Sequence, residues 1–182
     1  KGETLIDLIR ELEKVEGINR YRLSSIEPNL LTNEIICFMA ESDKFLPHFH
    51  IPLQSGSNKI LKAMRRRYQT DLFAKRIYTV KSVLPDAGIG VDVIVGFPGE
   101  SDKDFQQTYN FLETIDVSYL HVFSFSERDH TDAVNISPKV KPETILERSQ
   151  IIQGLSREKI NKFYRSFSII NYLLFGVSSK NE

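Results

Sequence analysis

Two hydrophobic periods alternate along this chain, and each switch marks the border between a helix and a strand. Leu5, Leu8, Ile9 and Leu12 recur at helical spacing and predict a helix that Gly17 ends. Tyr21 to Ile26 predicts a short strand, closed by Glu27-Pro28-Asn29. Thr32 stands where an N-cap belongs, ahead of a helix that carries Ile35 and Met39 inward. Phe49, Ile51 and Leu53 then alternate at period two, which puts His50, Pro52 and Gln54 on the opposite strand face. Ser57 to Arg66 and Asp71 to Val83 read as helices, and Pro85-Asp86-Ala87-Gly88 turns the chain back. Ile89 to Gly96 is mostly β-branched, as buried parallel strands are. Ser101-Asp102-Lys103-Asp104 has the form of a capped helix start and leads into Phe105 to Ile115. Tyr119 to Ser126 predicts a fourth strand. From Pro142 a long helical pattern runs through Ile152, Leu155, Phe163, Phe167 and Ile170, with Gly154 as its point of interruption.

Four strands separated by helical sequence imply parallel βαβ units with right-handed crossovers. A doubly wound sheet and a partial barrel both satisfy that pattern. The 182 residues suffice for one sizeable core, and there are no short internal repeats. Basic and acidic side chains balance at 24 each, which argues against binding through a general positive surface. If RNA is the substrate, most phosphate contacts come from elsewhere. No apolar run reaches the roughly 18 residues of a membrane span, and no signal-peptide pattern opens the chain. The single cysteine excludes an internal disulfide framework and points to a reducing cytoplasm. Lys1-Gly2-Glu3-Thr4-Leu5 is already the onset of a helix, which suggests a boundary inside a larger domain.

Candidate chemistry gathers where strands end, because ligands of parallel α/β folds collect at the carboxyl edge of the sheet. In Pro52-Leu53-Gln54-Ser55-Gly56-Ser57, Gln54 and Ser55 offer hydrogen-bonding groups. Gly56 lacks a Cβ that would keep a ligand from the backbone, and Ser57 suits the cap of the next helix. Gly96-Phe97-Pro98-Gly99-Glu100 closes the following strand. Alternation there sets Asp92, Ile94 and Gly96 on one face and the valines 91, 93 and 95 on the other. Asp92 therefore points inward and requires a partner, for which His50 on the neighbouring strand is the candidate. Arg65, Arg66 and Arg67 diverge by about 100° each if helical, so only one or two face a cleft. A solvated basic patch is the plain alternative for them. Cys37 lies roughly opposite Ile35 and Met39 and reads as an incidental exposed thiol. His48, His50, His121 and His130 lack the spacing of a zinc motif, so no metal ligands are assigned. His50 and His121 are read as hydrogen-bonded strand residues.

Four strings are similar to one known family. His48-Phe49-His50-Ile51-Pro52-Leu53-Gln54-Ser55-Gly56-Ser57, continued through Met64-Arg65-Arg66-Arg67-Tyr68, resembles the radical S-adenosylmethionine (SAM) methylthiotransferases that modify tRNA. So does Val91-Asp92-Val93-Ile94-Val95-Gly96-Phe97-Pro98-Gly99-Glu100. Arg22-Leu23-Ser24-Ser25-Ile26-Glu27-Pro28 points toward the members acting on threonylcarbamoyladenosine, and Leu120-His121-Val122-Phe123 fits as well. The resemblance implies a partial parallel (β/α) barrel of the radical SAM, TIM-like type. Residues 1–141 would form its later portion, and 142–182 an exit helix and tail toward an RNA-binding domain. It implies SAM held by Gln54, Ser55, Arg66, Ile94 and Gly96, with His50 and Asp92 supporting the interior and no catalytic residue in this chain. It selects Arg66 from the run through a Met-x-Arg-x-Tyr pattern, to meet a carboxylate or phosphate. In such enzymes a 4Fe–4S cluster cleaves SAM to a radical that abstracts hydrogen from the adenine ring. The cluster's Cys-x-x-x-Cys-x-x-Cys is absent here, so the chain reads as an inactive fragment whose cluster ligands precede Lys1. Exposed strand edges imply self-association. Asp129-His130-Thr131 departs from the family's Pro-Gly-Thr, and 169–182 fits it poorly. The competing readings are a sister activity on isopentenyl-adenosine or a ribosomal aspartate, a non-catalytic RNA- or protein-binding barrel, and a lyase or aldolase barrel.

Overall fold

The computed structural model describes residues 2–175, with side chains through residue 167. In chain order it comprises α1 (Leu5–Lys14), β1 (Tyr21–Leu23), α2 (Asn33–Glu41), β2 (Phe45–His50), α3 (Asn58–Ala63) and α4 (Thr70–Val83). These are followed by β3 (Gly88–Val95), α5 (Asp102–Thr114), β4 (Tyr119–Ser124), a 3-10 turn at Asp132–Asn135 and α6 (Pro142–Phe175). All strand pairs are parallel and the sheet order is β1-β2-β3-β4. That order decides between the two architectures left open by the pattern. Right-handed crossovers between sequential neighbours put every helix on one face, whereas a doubly wound sheet reverses direction at a switch point. The fold is a partial parallel α/β barrel.

The two faces of the sheet differ accordingly. Phe49, Val91, Val93 and Val95 are fully buried on the outer face, beneath Ile36, Phe73, Val80, Leu112 and Ile152 from the helices. Each such side chain contributes about 1.5–3 kcal/mol on burial. His48, His50, Asp92 and Ile94 on the inner face are only partly covered, and His121 and Phe123 are exposed. The alternation expected along β3 is therefore present, as are the Thr32 cap (Ile35 N to Thr32 Oγ1, 3.2 Å) and the Ser101–Asp104 capping box. β2 itself ends at His50; its ladder runs on through Leu53, but Gln54, expected beside His50 and Pro52, bridges Val93 instead.

Elsewhere the local structure departs from expectation. β1 stops at Leu23 rather than Ile26, because Ser25 takes φ +50° and leaves the extended region. α3 ends at Ala63, not Arg66. Arg65 adopts φ +56°, Arg65 N–H donates to Lys62 O (3.0 Å) and Arg66 N–H to Leu61 O (2.9 Å). This is a Schellman C-terminus with arginine where glycine usually stands. The arginine run is consequently not helical, and no helix-wheel argument applies to it. In α1, Ile9 is buried but Leu5 and Leu8 are exposed. α6 is unbroken at Gly154: a helical glycine costs only about 1 kcal/mol, and Ile152 and Leu155 on either side anchor the helix in the common core. The first half of α6 thus packs against the elements of residues 1–141. It also covers part of the sheet edge, since the Ser156 hydroxyl bonds both Leu120 N–H and Leu120 O at 2.9 Å. Of the tail at 169–182, the backbone through Phe175 continues α6, and the remainder lies outside the described residues.

Candidate cofactor site

The inner face is polar at two levels and opens into hollows at the third. Lowest, toward the strand N-termini, the Arg22 guanidinium donates to His48 Nδ1 (3.2 Å) and the Tyr119 hydroxyl lies 2.9 Å from His48 Nε2. Accepting at Nδ1 requires a neutral ring, and burial together with Arg22 holds the His48 pKa below its ordinary value. Gly90 makes this packing possible, because a Cβ there would stand 2.3 Å from the Tyr119 ring. At the middle level His50 Nε2 lies 2.7 Å from Asp92 Oδ1, the partnership expected from strand alternation. His121 Nδ1 approaches the same oxygen at 3.4 Å from the other flank.

At the carboxyl edge two adjoining hollows, of about 420 and 240 Å³, share Ile94, Phe125 and Ala133 in their walls. Arg66 and Met64 line the smaller one. Arg66 Nη1 meets a carboxylate, as expected, but an internal one: Glu27 Oε1 at 3.0 Å. Its Nε is buried without a hydrogen-bond partner. Gln54 holds φ +69° while its N–H donates to Asp92 O (2.8 Å) and its carbonyl accepts from Ile94 N–H (2.9 Å). A left-handed glutamine costs on the order of 1–3 kcal/mol, and such strain concentrates at binding sites.

The remaining expected residues are used differently. Ser55 is fully buried, with its hydroxyl 3.2 Å from Thr108 Oγ1 of α5, so it does not present that group to the interior. Gly56 does not clear a path for a ligand: a Cβ there would lie 2.6 Å from Thr108 Cα, so the glycine exists for contact with α5. Ser57 occupies the N-cap of α3 without capping it and donates to Asp104 Oδ1 instead (2.9 Å). Gly96, at φ +81°, makes room for Ile145 of α6, and its N–H donates to Glu100 Oε2 (2.8 Å). The structure thus brings Ile94 and Arg66 to one hollow. It leaves Gln54, Ser55 and Gly96 out of that lining.

Three residues that sequence reasoning passed over fix this rim. Tyr68, the last member of the Met-x-Arg-x-Tyr string, donates to Pro52 O (2.9 Å) and Leu53 O (3.2 Å), and burial pushes its phenol up to about 12. Asp104 receives Ser57, Ser101 and Lys59. Burial alone would raise its carboxyl, but these donors outweigh it and hold it well below the usual carboxylate range. Arg148 of α6, almost fully buried, bonds Glu100 Oε2 and Asp102 Oδ1, both at 2.7 Å. Burial pushes Glu100 up against the pull of the Gly96 amide and Arg148. Tyr68 and Asp104 lay within readable strings, Asp104 in the capping box of α5, but the strings did not show their long-range partners. Arg148 sits 48 residues from Glu100 and gave no local signal.

A singly wound parallel sheet with a polar interior face defines a partial α/β-barrel domain. The profile of the Radical SAM superfamily matches residues 2–112, and the chain belongs to that superfamily. It is 42% identical over 164 residues to the threonylcarbamoyladenosine tRNA methylthiotransferase MtaB of Aquifex aeolicus, covering 90% of this chain and 40% of that protein. Against MtaB of Bacillus subtilis the figures are 44% over 167 residues, 91% and 37%. Against a tRNA-2-methylthio-N(6)-dimethylallyladenosine synthase of Thermobifida fusca they are 38% over 160 residues, 86% and 32%. The chain therefore spans two fifths or less of these relatives' length. The radical SAM enzyme coproporphyrinogen III oxidase (HemN) of Escherichia coli shares the fold, with a TM-score of 0.69 at 14% identity over 87% of this chain and 39% of that one.

Proposed function

We propose that this chain is the later-strand portion of a radical SAM methylthiotransferase that modifies threonylcarbamoyladenosine in tRNA. The observation that carries this reading is the 42–44% identity to two MtaB proteins along nine tenths of the chain, above the 33–40% to dimethylallyladenosine synthases. The geometry supports a cofactor role at the β2 and β3 ends. Arg66 lines the smaller hollow, and its guanidinium suits an anionic group such as the SAM carboxylate. Ile94 offers an apolar wall, and Gln54 and Gly96 set the backbone on either side of it. Ser55, His50 and Asp92 support these positions from behind and below.

SAM beside a 4Fe–4S cluster supplies hydrogen-abstracting chemistry in this superfamily. The residues of this chain do not fit the cluster: Cys37 is its one thiol, exposed on α2, and a cluster needs several thiolates. In this reading the cluster ligands, and most contacts to tRNA, belong to parts of the relatives that the chain does not span. Among the described residues no helix is long and apolar enough to cross a membrane, which is compatible with the cytoplasmic setting we propose. Mass spectrometry of tRNA from a strain lacking the complete gene tests the substrate. Loss of the methylthio group from threonylcarbamoyladenosine is expected. Its loss from isopentenyl-adenosine instead, or unchanged tRNA, would refute the assignment.

A further inference from the structure

The middle level of the inner face offers more than a buried carboxylate with a partner. His50, Asp92 and His121 come from three neighbouring strands, and one ligand atom from each lies within 4.8 Å of the other two. We infer that these three residues form a binding site for a divalent first-row transition ion. Two imidazoles and one carboxylate are a donor set suited to zinc or ferrous iron, and three protein ligands leave coordination positions free.

Several observations support this beyond the residue types. The imidazoles stand perpendicular, with ring centroids 5.2 Å apart, flanking a single carboxylate oxygen. His50 and Asp92 are mostly buried, with 19% and 17% of their side chains exposed, while His121 is 49% exposed. The site is therefore walled on the sheet side and approachable from the interior. An ion with bonds of about 2.0–2.2 Å spaces its ligand atoms about 3.0–3.5 Å apart. The His121–Asp92 separation of 3.4 Å already matches. The His50–Asp92 separation of 2.7 Å needs to open by a few tenths of an ångström, and the imidazole nitrogens, within 4.8 Å of each other, need to draw closer. The ring of Tyr119, with its centroid 5.1 Å from that of His121, limits where that imidazole swings. Chain spacing hid the set, because its members lie 42 and 29 residues apart along the sequence.

Titration of the metal-free chain with Co²⁺, followed by visible d–d absorption and competed with Zn²⁺, tests the inference without SAM or tRNA. One Co²⁺ per chain is expected, displaced by Zn²⁺. Changing groups that merely orient ligands already weakens metal sites about 10–100-fold, so His50→Ala, Asp92→Asn and His121→Gln should each weaken binding at least about tenfold. Cys37→Ser should leave it unchanged. His121 is the most exposed of the three, so His121→Gln decides the matter if another variant melts early in EDTA. No saturable absorption, binding that survives His121→Gln, or binding lost with Cys37→Ser would each overturn the site.

Discussion

The loops that follow β2 and β3 and the loop that follows β4 end the same sheet but are built on opposite terms. The first two are tied down by buried groups: Tyr68 on the Pro52 and Leu53 carbonyls, Asp104 on Ser57 and Ser101, Arg148 on Glu100. After β4, residues 126–135 are almost all exposed, and the ion pair Arg65–Asp132 that crosses to them is 78% and 71% exposed. One rim is fixed by charges and hydroxyls with little water around them. The other is held by pairs that water competes for. A wall meant to meet a cofactor in one geometry belongs to the first kind, since rigid support limits the reorganisation on binding. The lesson is that the β2 and β3 ends are organised by this chain's own residues.

Removing the deepest of these ties should do the most damage. Arg148→Ala would leave Glu100 buried without its countercharge and is expected to cost about 3–5 kcal/mol in urea unfolding. Gly56→Ala would drive a methyl against the Thr108 backbone and should cost about 1–3 kcal/mol by the same measurement. Asp104 sharpens the contrast through pH. Its folded pKa lies below the ordinary value of 3.8, so its contribution is present above that value and is lost as pH falls through it. The gap in melting temperature between the native chain and Asp104→Asn should accordingly narrow as the pH drops below 3.8. Glu100, raised by burial, works in the opposite sense and loses its contribution as pH rises through its folded value. The smallest effect belongs to the open rim, where Asp132→Ala should shift stability by about 0.5 kcal/mol or less. A loss as large as that of Arg148→Ala would erase the distinction between the rims.

Periodicity made the sheet legible. The alternation at Phe49-Ile51-Leu53 and the valines of β3 place the core face, and from them follow Asp92 pointing inward and His50 beside it. What the pattern concealed has two physical sources. Some features depend on backbone conformations that composition does not announce, such as left-handed Ser25, Gln54 and Arg65, none of which is glycine. Others depend on partners distant in sequence. Gly56 and Gly96 carry no label saying whether a ligand or a helix fills their missing Cβ, and here Thr108 and Ile145 do. Arg148 and His121 likewise acquire meaning only once α6 and β4 are folded against β3.

Amide chemical-shift mapping during titration with SAM tests most directly whether the β2 and β3 ends form a ready-made wall of the cofactor cavity. Saturable shifts are predicted at Gln54, Ile94, Gly96 and the Arg66 side chain, weakened at least about tenfold by Arg66→Ala through loss of a charged hydrogen bond. Shifts confined to the exposed loop after β4, or none at these four positions at saturating SAM, would contradict the account.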